Sequence, residues 1–134
     1  MSDKIFIDTN ILIYLLKDNT GKAEILASKL DNSKNIISIQ VINEFCNVAL
    51  KKLNFTYDGL DLTITKLAEY FLISKIELKT IKRALKIKEK YQFSYYDSAI
   101  IASALENNCT ILYSEDMQHN QLIENMLRIV NPFM

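Results

Sequence analysis

Apolar residues along this chain follow two rhythms. Short unbroken runs predict strands at Lys4–Asp8, Asn35–Ile39, Phe71–Ile76 and Thr110–Tyr113, with a fifth over Leu127–Val130. Between them, apolar positions recur at helical spacing. They predict helices over Asn10–Lys17, Lys22–Leu30, Val41–Leu53 and Tyr57–Glu69, the last behind a Thr56 cap. Two more cover Leu78–Tyr91 and Tyr95–Asn107, the latter behind Ser94. Strands alternating with helices imply an α/β fold. The expected architecture has three layers, α/β/α, with a mostly parallel central sheet of four to five strands and helices on both faces. The helix-only stretch from Val41 to Glu69 leaves room for a helical hairpin beside the sheet.

At 134 residues the chain is expected to form one domain over 1–134, long enough to bury a core. Formal net charge is zero, so any nucleic-acid surface has to be a local patch. The two cysteines, Cys46 and Cys109, have no metal-like spacing and sit among apolar neighbours. They are expected to be buried, reduced thiols, which suits a reducing cytoplasm. The apolar stretch from Ile5 to Leu16 is broken by Asp8 and Asn10. It is shorter than the ~20 residues a spanning helix needs and lacks a small-residue cleavage site, so neither a membrane span nor a signal peptide is expected.

The chemistry is carried by acids. Asp8 follows the first strand, where open α/β sheets place their functional groups. Capping explains a single polar residue there, but Asp8, Thr9 and Asn10 stand together between two apolar runs. Glu44 falls at the rim of the apolar face formed by Val41, Ile42, Phe45, Ala49 and Leu53, either reaching into a cleft or solvated near Lys51. Asp97 precedes a stripe of Ile100, Ile101 and Ala104 that should be buried, and a buried carboxylate needs a partner or a metal. Its alternative is the third helical position of a capping box begun by Ser94. Asp116 comes just past the fourth apolar run, in Ser114-Glu115-Asp116, as a ligand or a turn residue. Glu115 beside it is a further ligand or solvated. Thr9 and Ser114 are candidates for orienting the carboxylates.

Brought together, these acids repel one another unless a cation lies between them. Hard oxygen donors without a His or Cys cluster point to magnesium or manganese rather than zinc. His119 is the only histidine, which gives a Ser-His-Asp triad little support. No glycine-rich phosphate loop is present.

Lys75 to Lys90 holds seven basic and two acidic residues. On a helix, Lys79, Lys82, Arg83, Lys86 and Lys90 share one face. Leu78, Ile81, Ala84 and Leu85 are expected to face the core. The basic face is either simply solvated or a phosphate track toward the acids. Tyr95 and Tyr96 are candidates for base stacking or for helix-entry packing. Ile11, Tyr14 and Leu15 on the first helix suit either a core or an interface.

Several segments together resemble a known family. Ile5-Phe6-Ile7-Asp8-Thr9-Asn10, Asn43-Glu44, and Ser94-Tyr95-Tyr96-Asp97 running on to Ala104 are similar to the PIN-domain nucleases. So are Leu112–His119 and the tail Ile129-Val130-Asn131-Pro132-Phe133. Within that family the resemblance is to VapC-type toxins of bacterial toxin–antitoxin pairs. It implies a metal-dependent endoribonuclease hydrolysing RNA phosphodiester bonds with a metal-activated water, leaving a 5′-phosphate and a 3′-hydroxyl. It implies that Asp8, Glu44, Asp97 and Asp116 hold one or two magnesium or manganese ions, with Thr9, Asn10 and Ser114 in support. It further implies an RNA substrate, a cognate antitoxin lying across the active site, and a homodimer. One departure is Asn120, where relatives often carry glycine; Asn tolerates a left-handed turn.

Two rivals stand beside this reading. A non-catalytic PIN-like module would bind RNA or protein without using its acids. A phosphoacceptor or phosphatase would use Asp8 as nucleophile. The haloacid-type phosphatase signature needs a second Asp two residues on, where this chain has Asn10.

Overall fold

Ile5, Phe6 and Ile7 are buried at consecutive positions. Consecutive burial means that both faces of the first strand are covered, as in a parallel sheet between helical layers. The computed structural model describes residues 3–17 and 20–134. Its elements run β1 (Lys4–Ile7), α1 (Thr9–Lys17), α2 (Lys22–Leu30), β2 (Lys34–Ser38), α3 (Ile39–Lys52), α4 (Tyr57–Tyr70) and β3 (Leu72–Ser74). They continue α5 (Leu78–Tyr91), α6 (Tyr95–Glu106), β4 (Ile111–Tyr113), β5 (Leu122–Ile123) and β6 (Leu127–Val130).

The strands form one sheet in the order β3-β2-β1-β4-β6-β5. All neighbours are parallel except β5 and β6. The chain builds outward from β1 to β3, then crosses back to place β4 on the other side of β1. The gap between β1 and β4 is therefore the topological switch point, where such sheets open a crevice at their carboxyl ends.

The expected sheet of four to five strands has six. The additional strand, β5, is only two residues long, too short to show a period. It is held by a turn in which Met126 N–H donates to the Ile123 carbonyl at 3.0 Å. Both central residues, Glu124 and Asn125, have positive φ, at 52° and 53°. Positive φ at two successive turn positions is usually announced by glycine, which this turn lacks.

Local chemistry sets most boundaries. Ser38 ends β2 because its hydroxyl accepts the Val41 N–H at 3.3 Å, so Ile39 opens α3 instead of closing the strand. Thr56 caps α4 by accepting from Gly59 N–H at 3.0 Å, as expected. Asn120 takes φ 70°, the left-handed conformation that the turn requires.

The core joins β1, β2, β4 and β6 to the inner faces of the helices. Helix α6 is buried from Ser98 to Leu105, including Ile100, Ile101 and Ala104 as expected. Cys109 is buried and Cys46 half-buried, both as free thiols. No helix among the described residues is long and apolar enough to cross a membrane.

The inner face of α5 differs from expectation. Thr80, Ala84 and Ile87 face inward, while Leu78 and Leu85 are largely exposed and Ile81 is exposed at the rim. Ala84 packs on Ala99 and Ala102 of α6, so small residues set the contact.

Candidate active site

Asp8 is carried just past the end of β1, at the switch point. Its N–H still follows the sheet, donating to the Tyr113 carbonyl at 3.0 Å. Its carbonyl already belongs to α1, accepting from Ile11 and Leu12 at 3.1 Å each. Asp8 thus holds the N-cap position by its backbone. Its carboxylate turns elsewhere: Oδ1 accepts from Thr9 N–H at 2.7 Å and Oδ2 from Ser114 Oγ at 2.8 Å.

Ser114 lies past the end of β4 and is fully buried. Its Oγ also accepts the Asp116 N–H at 3.3 Å. One hydroxyl therefore ties the Asp8 carboxylate to the backbone of the loop that carries Asp116. Asp116 itself is exposed.

Asp97 enters from the first turn of α6. Ser94 Oγ accepts its N–H at 3.2 Å, so the cap forms as expected. The described structure records no return bond from the Asp97 carboxylate to the Ser94 backbone, so the capping box stays half-formed. Glu44 is half-buried on α3. Gln40 Nε2 donates to Glu44 Oε1 at 3.0 Å and to the Tyr96 carbonyl at 3.2 Å. Gln40, which no sequence motif marks, thus ties Glu44 to the start of α6. Its signal was present in the i to i+4 spacing from Gln40 to Glu44 on a helix.

Asp8 and Asp97 feel the charges of neighbouring acids. Burial pushes the Asp8 carboxyl from its ordinary 3.8 up to about 6. The Ser114 and Thr9 hydrogen bonds oppose that rise, and the charges of Asp97 and Glu44 add to it. Asp97 is likewise pushed up, first by burial and further by the charge of Asp116, against the Ser94 hydroxyl. The structure therefore brings Asp8, Glu44, Asp97 and Asp116 into one electrostatic neighbourhood. The two ion pairs among the described residues, Lys22–Glu115 at 3.1 Å and Lys90–Glu124 at 2.9 Å, involve none of the four.

Over residues 5–124 the sequence matches the PIN domain family. The chain belongs to that family. No curated protein sequence matches it. The fold is similar to that of a toxin–antitoxin complex from Klebsiella pneumoniae, at 23% identity and TM-score 0.73, covering 96% of this chain and 97% of the other. It is similar to VapBC2 from Rickettsia felis, solved with a promoter DNA fragment, at 16% identity and TM-score 0.68, covering 94% and 96%. It is also similar to Mycobacterium tuberculosis VapC20, a toxin that cleaves the sarcin-ricin loop, at 14% identity and TM-score 0.66, covering 84% and 89%.

In this PIN domain no three His, Cys, Asp or Glu side chains among the described residues are arranged to grip an ion directly between them. The donor set nevertheless fits a hydrated divalent cation. Magnesium keeps several waters and takes one or two carboxylates directly. Beside Asp8, Thr9 Oγ1, Asn10 Oδ1 and Asn10 Nδ2 are buried and have no hydrogen-bond partner among the described residues, polar groups that the waters of such an ion would satisfy.

Glu115 is half-buried and both of its carboxylate oxygens have partners. Tyr14 OH donates to its Oε1 at 2.7 Å and Lys22 Nζ to its Oε2 at 3.1 Å. These contacts hold its carboxyl below the usual range, the Tyr14 bond foremost. Lys22 also lies over the rings of Tyr14 and Phe133, at 4.2 and 4.7 Å from their centroids. Glu115 is thus one end of a clasp joining α1, α2, the loop after β4 and the C-terminal tail. Tyr14 serves this clasp, while Ile11 belongs to the core and Leu15 packs against it.

On α5, Lys79, Lys82 and Lys86 are exposed and Arg83 is half-buried. Lys90 is paired with Glu124, in the turn preceding β6. Because Arg128 of β6 pairs with Ile111, the first residue of β4, this turn lies at the end of the sheet opposite Ser114. The basic face therefore runs from Lys79 toward an anchored end remote from the acids.

Proposed function

We propose that this PIN domain is a divalent-metal-dependent endoribonuclease and the toxin of a toxin–antitoxin pair, acting in the cytoplasm. The observation that carries the proposal is the buried Asp8 carboxylate. It is pushed up to about 6, feels the charges of Asp97 and Glu44, and is paired with no cationic side chain among the described residues. Such an arrangement is costly unless a cation supplies the missing charge. Family membership and the fold shared with toxin structures support the same conclusion.

In this proposal Asp8, Glu44, Asp97 and Asp116 hold Mg2+ or Mn2+, directly or through its waters. When bound, the ion supplies a water of lowered pKa and positive charge facing the phosphate oxygens. The protein's own groups do the positioning. Ser114 Oγ and Thr9 N–H fix the two Asp8 oxygens, Gln40 fixes Glu44, and Thr9 and Asn10 offer unpartnered polar atoms to the surrounding waters. Lys79, Lys82, Arg83 and Lys86 offset the repulsion between acids and RNA phosphates, with Lys90 a weaker contributor because Glu124 already holds it. A cognate antitoxin and a homodimer belong to the same proposal.

The test is incubation of purified protein with a mixed RNA pool and Mg2+ or Mn2+, beside Asp8→Asn and Asp97→Asn. Metal-dependent cleavage lost in both variants is expected. Tight RNA binding without cleavage by the unaltered protein would replace the nuclease with a binding module. A phosphorylated Asp8 would replace it with a phosphoacceptor.

A further inference from the structure

Beside the acids, α3, α5 and the start of α6 enclose a slot of about 440 Å³. Glu44 forms part of its wall, so the slot and the acidic site share a residue. Asn43 and Asn47 stand along the α3 side, one turn apart on the same face. Thr80 and Ile81 of α5 form the opposite wall. Tyr96, the residue before Asp97, closes one end. Tyr96 is 67% exposed, and its ring meets that of Tyr95 edge-on at a centroid distance of 5.5 Å.

We propose that this slot binds one unpaired nucleobase of the RNA, next to the bond that is cut. The inference rests on the nuclease proposal above and names the residues that would select the base beside the cut. Three features of the slot carry it. Its lining contains no Lys or Arg, and its one acid is Glu44, so it is unsuited to a phosphate and suited to an uncharged group. The amides of Asn43 and Asn47 make no hydrogen bond among the described residues. A carboxamide offers a donor and an acceptor together, the chemistry that reads a base edge. Tyr96 presents an open ring on which a splayed base stacks. A base seated here brings its own backbone phosphates to Glu44 and Asp97. A base stacked in a duplex cannot enter, which excludes double-stranded RNA from this mode.

Two measurements test the proposal. The first titrates adenosine, guanosine, cytidine and uridine into the protein and follows the Asn43 and Asn47 side-chain amides by NMR. Nucleosides carry no phosphate, so the reading depends on neither metal nor cleavage. Movement of these amides by at least one nucleoside is expected. Binding should weaken roughly tenfold in Tyr96→Ala and recover in Tyr96→Phe. Unmoved amides, or shifts confined to another surface, would overturn the slot and leave it to a peptide segment of a protein partner.

The second measurement sequences the ends produced from a random single-stranded RNA pool by the unaltered protein, Asn43→Leu and Asn47→Leu. A base preference at one position next to the cut is expected, and both substitutions should relax it. Cleavage with an unchanged preference would overturn the slot while leaving the nuclease standing. No cleavage by the unaltered protein would overturn the nuclease, and the nucleoside titration then decides the slot by itself.

Discussion

Ser114 Oγ donates a 2.8 Å hydrogen bond to Asp8 Oδ2, across the junction between the ends of β4 and β1. The same oxygen receives the Asp116 N–H. Loss of this hydroxyl frees one Asp8 oxygen and loosens the loop carrying Asp116, while the Thr9 bond remains. Outer partners of metal ligands typically contribute about 10–100-fold in affinity or activity. Ser114→Ala should therefore raise the metal concentration for half-maximal cleavage by about that factor. Cleavage at graded Mg2+ measures this, and an unchanged metal dependence would make Ser114 a packing residue only.

The raised pKa of Asp8 predicts how stability follows pH. Below its ordinary 3.8 the group is protonated in both folded and unfolded chains. Between 3.8 and about 6 the folded chain keeps a proton that the unfolded chain has lost, so stability falls as pH rises. Above that window the loss from this group is complete, on the order of 3 kcal/mol. Asp97 acts in the same direction. Glu115 and Glu124, both held low, act the opposite way and lose their contribution only as pH falls through the acid range. The metal-free protein should thus melt lower at pH 7.5 than at pH 5.5, and Mn2+ should raise the melting temperature more at pH 7.5. Asp8→Asn should flatten the trend. Thermal unfolding with and without chelator checks both statements.

The clasp around Lys22 separates structure from chemistry. Both Glu115 oxygens are engaged, by Tyr14 and Lys22, and Lys22 covers two rings. Glu115→Gln and Lys22→Met should lower the melting temperature while metal-dependent cleavage persists. A Glu115→Gln protein that melts normally but no longer cleaves would instead place Glu115 at the metal.

The basic face of α5 predicts a graded salt response. Each lysine that touches a phosphate contributes about 0.7 to the slope of log affinity against log salt for single strands. Lys79→Gln, Lys82→Gln and Lys86→Gln should each reduce the slope of RNA binding. Lys90→Gln should change it least, because Glu124 already holds that ammonium at 2.9 Å. Binding isotherms across a salt series test this, and equal effects at all four positions would remove the distinction.

Much of this architecture was legible from periodicity. Asp8 beyond β1, Glu44 on α3, Asp97 on α6 and Asp116 beyond β4 stand where the apolar runs placed them, and the Thr56 and Ser94 caps formed as read. What stayed hidden depended on contacts rather than pattern. Ser38 ends β2 with a side-chain cap. β5 is two residues long and turns through Glu124-Asn125 without a glycine. Leu78 and Leu85 are exposed while Ala84 packs on α6, and a helical wheel cannot tell which of two apolar stripes a neighbour will cover. The fate of Glu115 was equally unreadable, since its partners Tyr14 and Lys22 lie about a hundred residues away in sequence.

The central claim is that the acids at the β1–β4 junction form one cation site. Titration of Mn2+ into the protein, followed by electron paramagnetic resonance of the free ion, tests it most directly. Saturable binding at neutral pH is expected, weakening strongly in Asp8→Asn and in Asp97→Asn, with folding retained in both. Mn2+ binding left unchanged by both substitutions, or no binding by the unaltered protein, would contradict it.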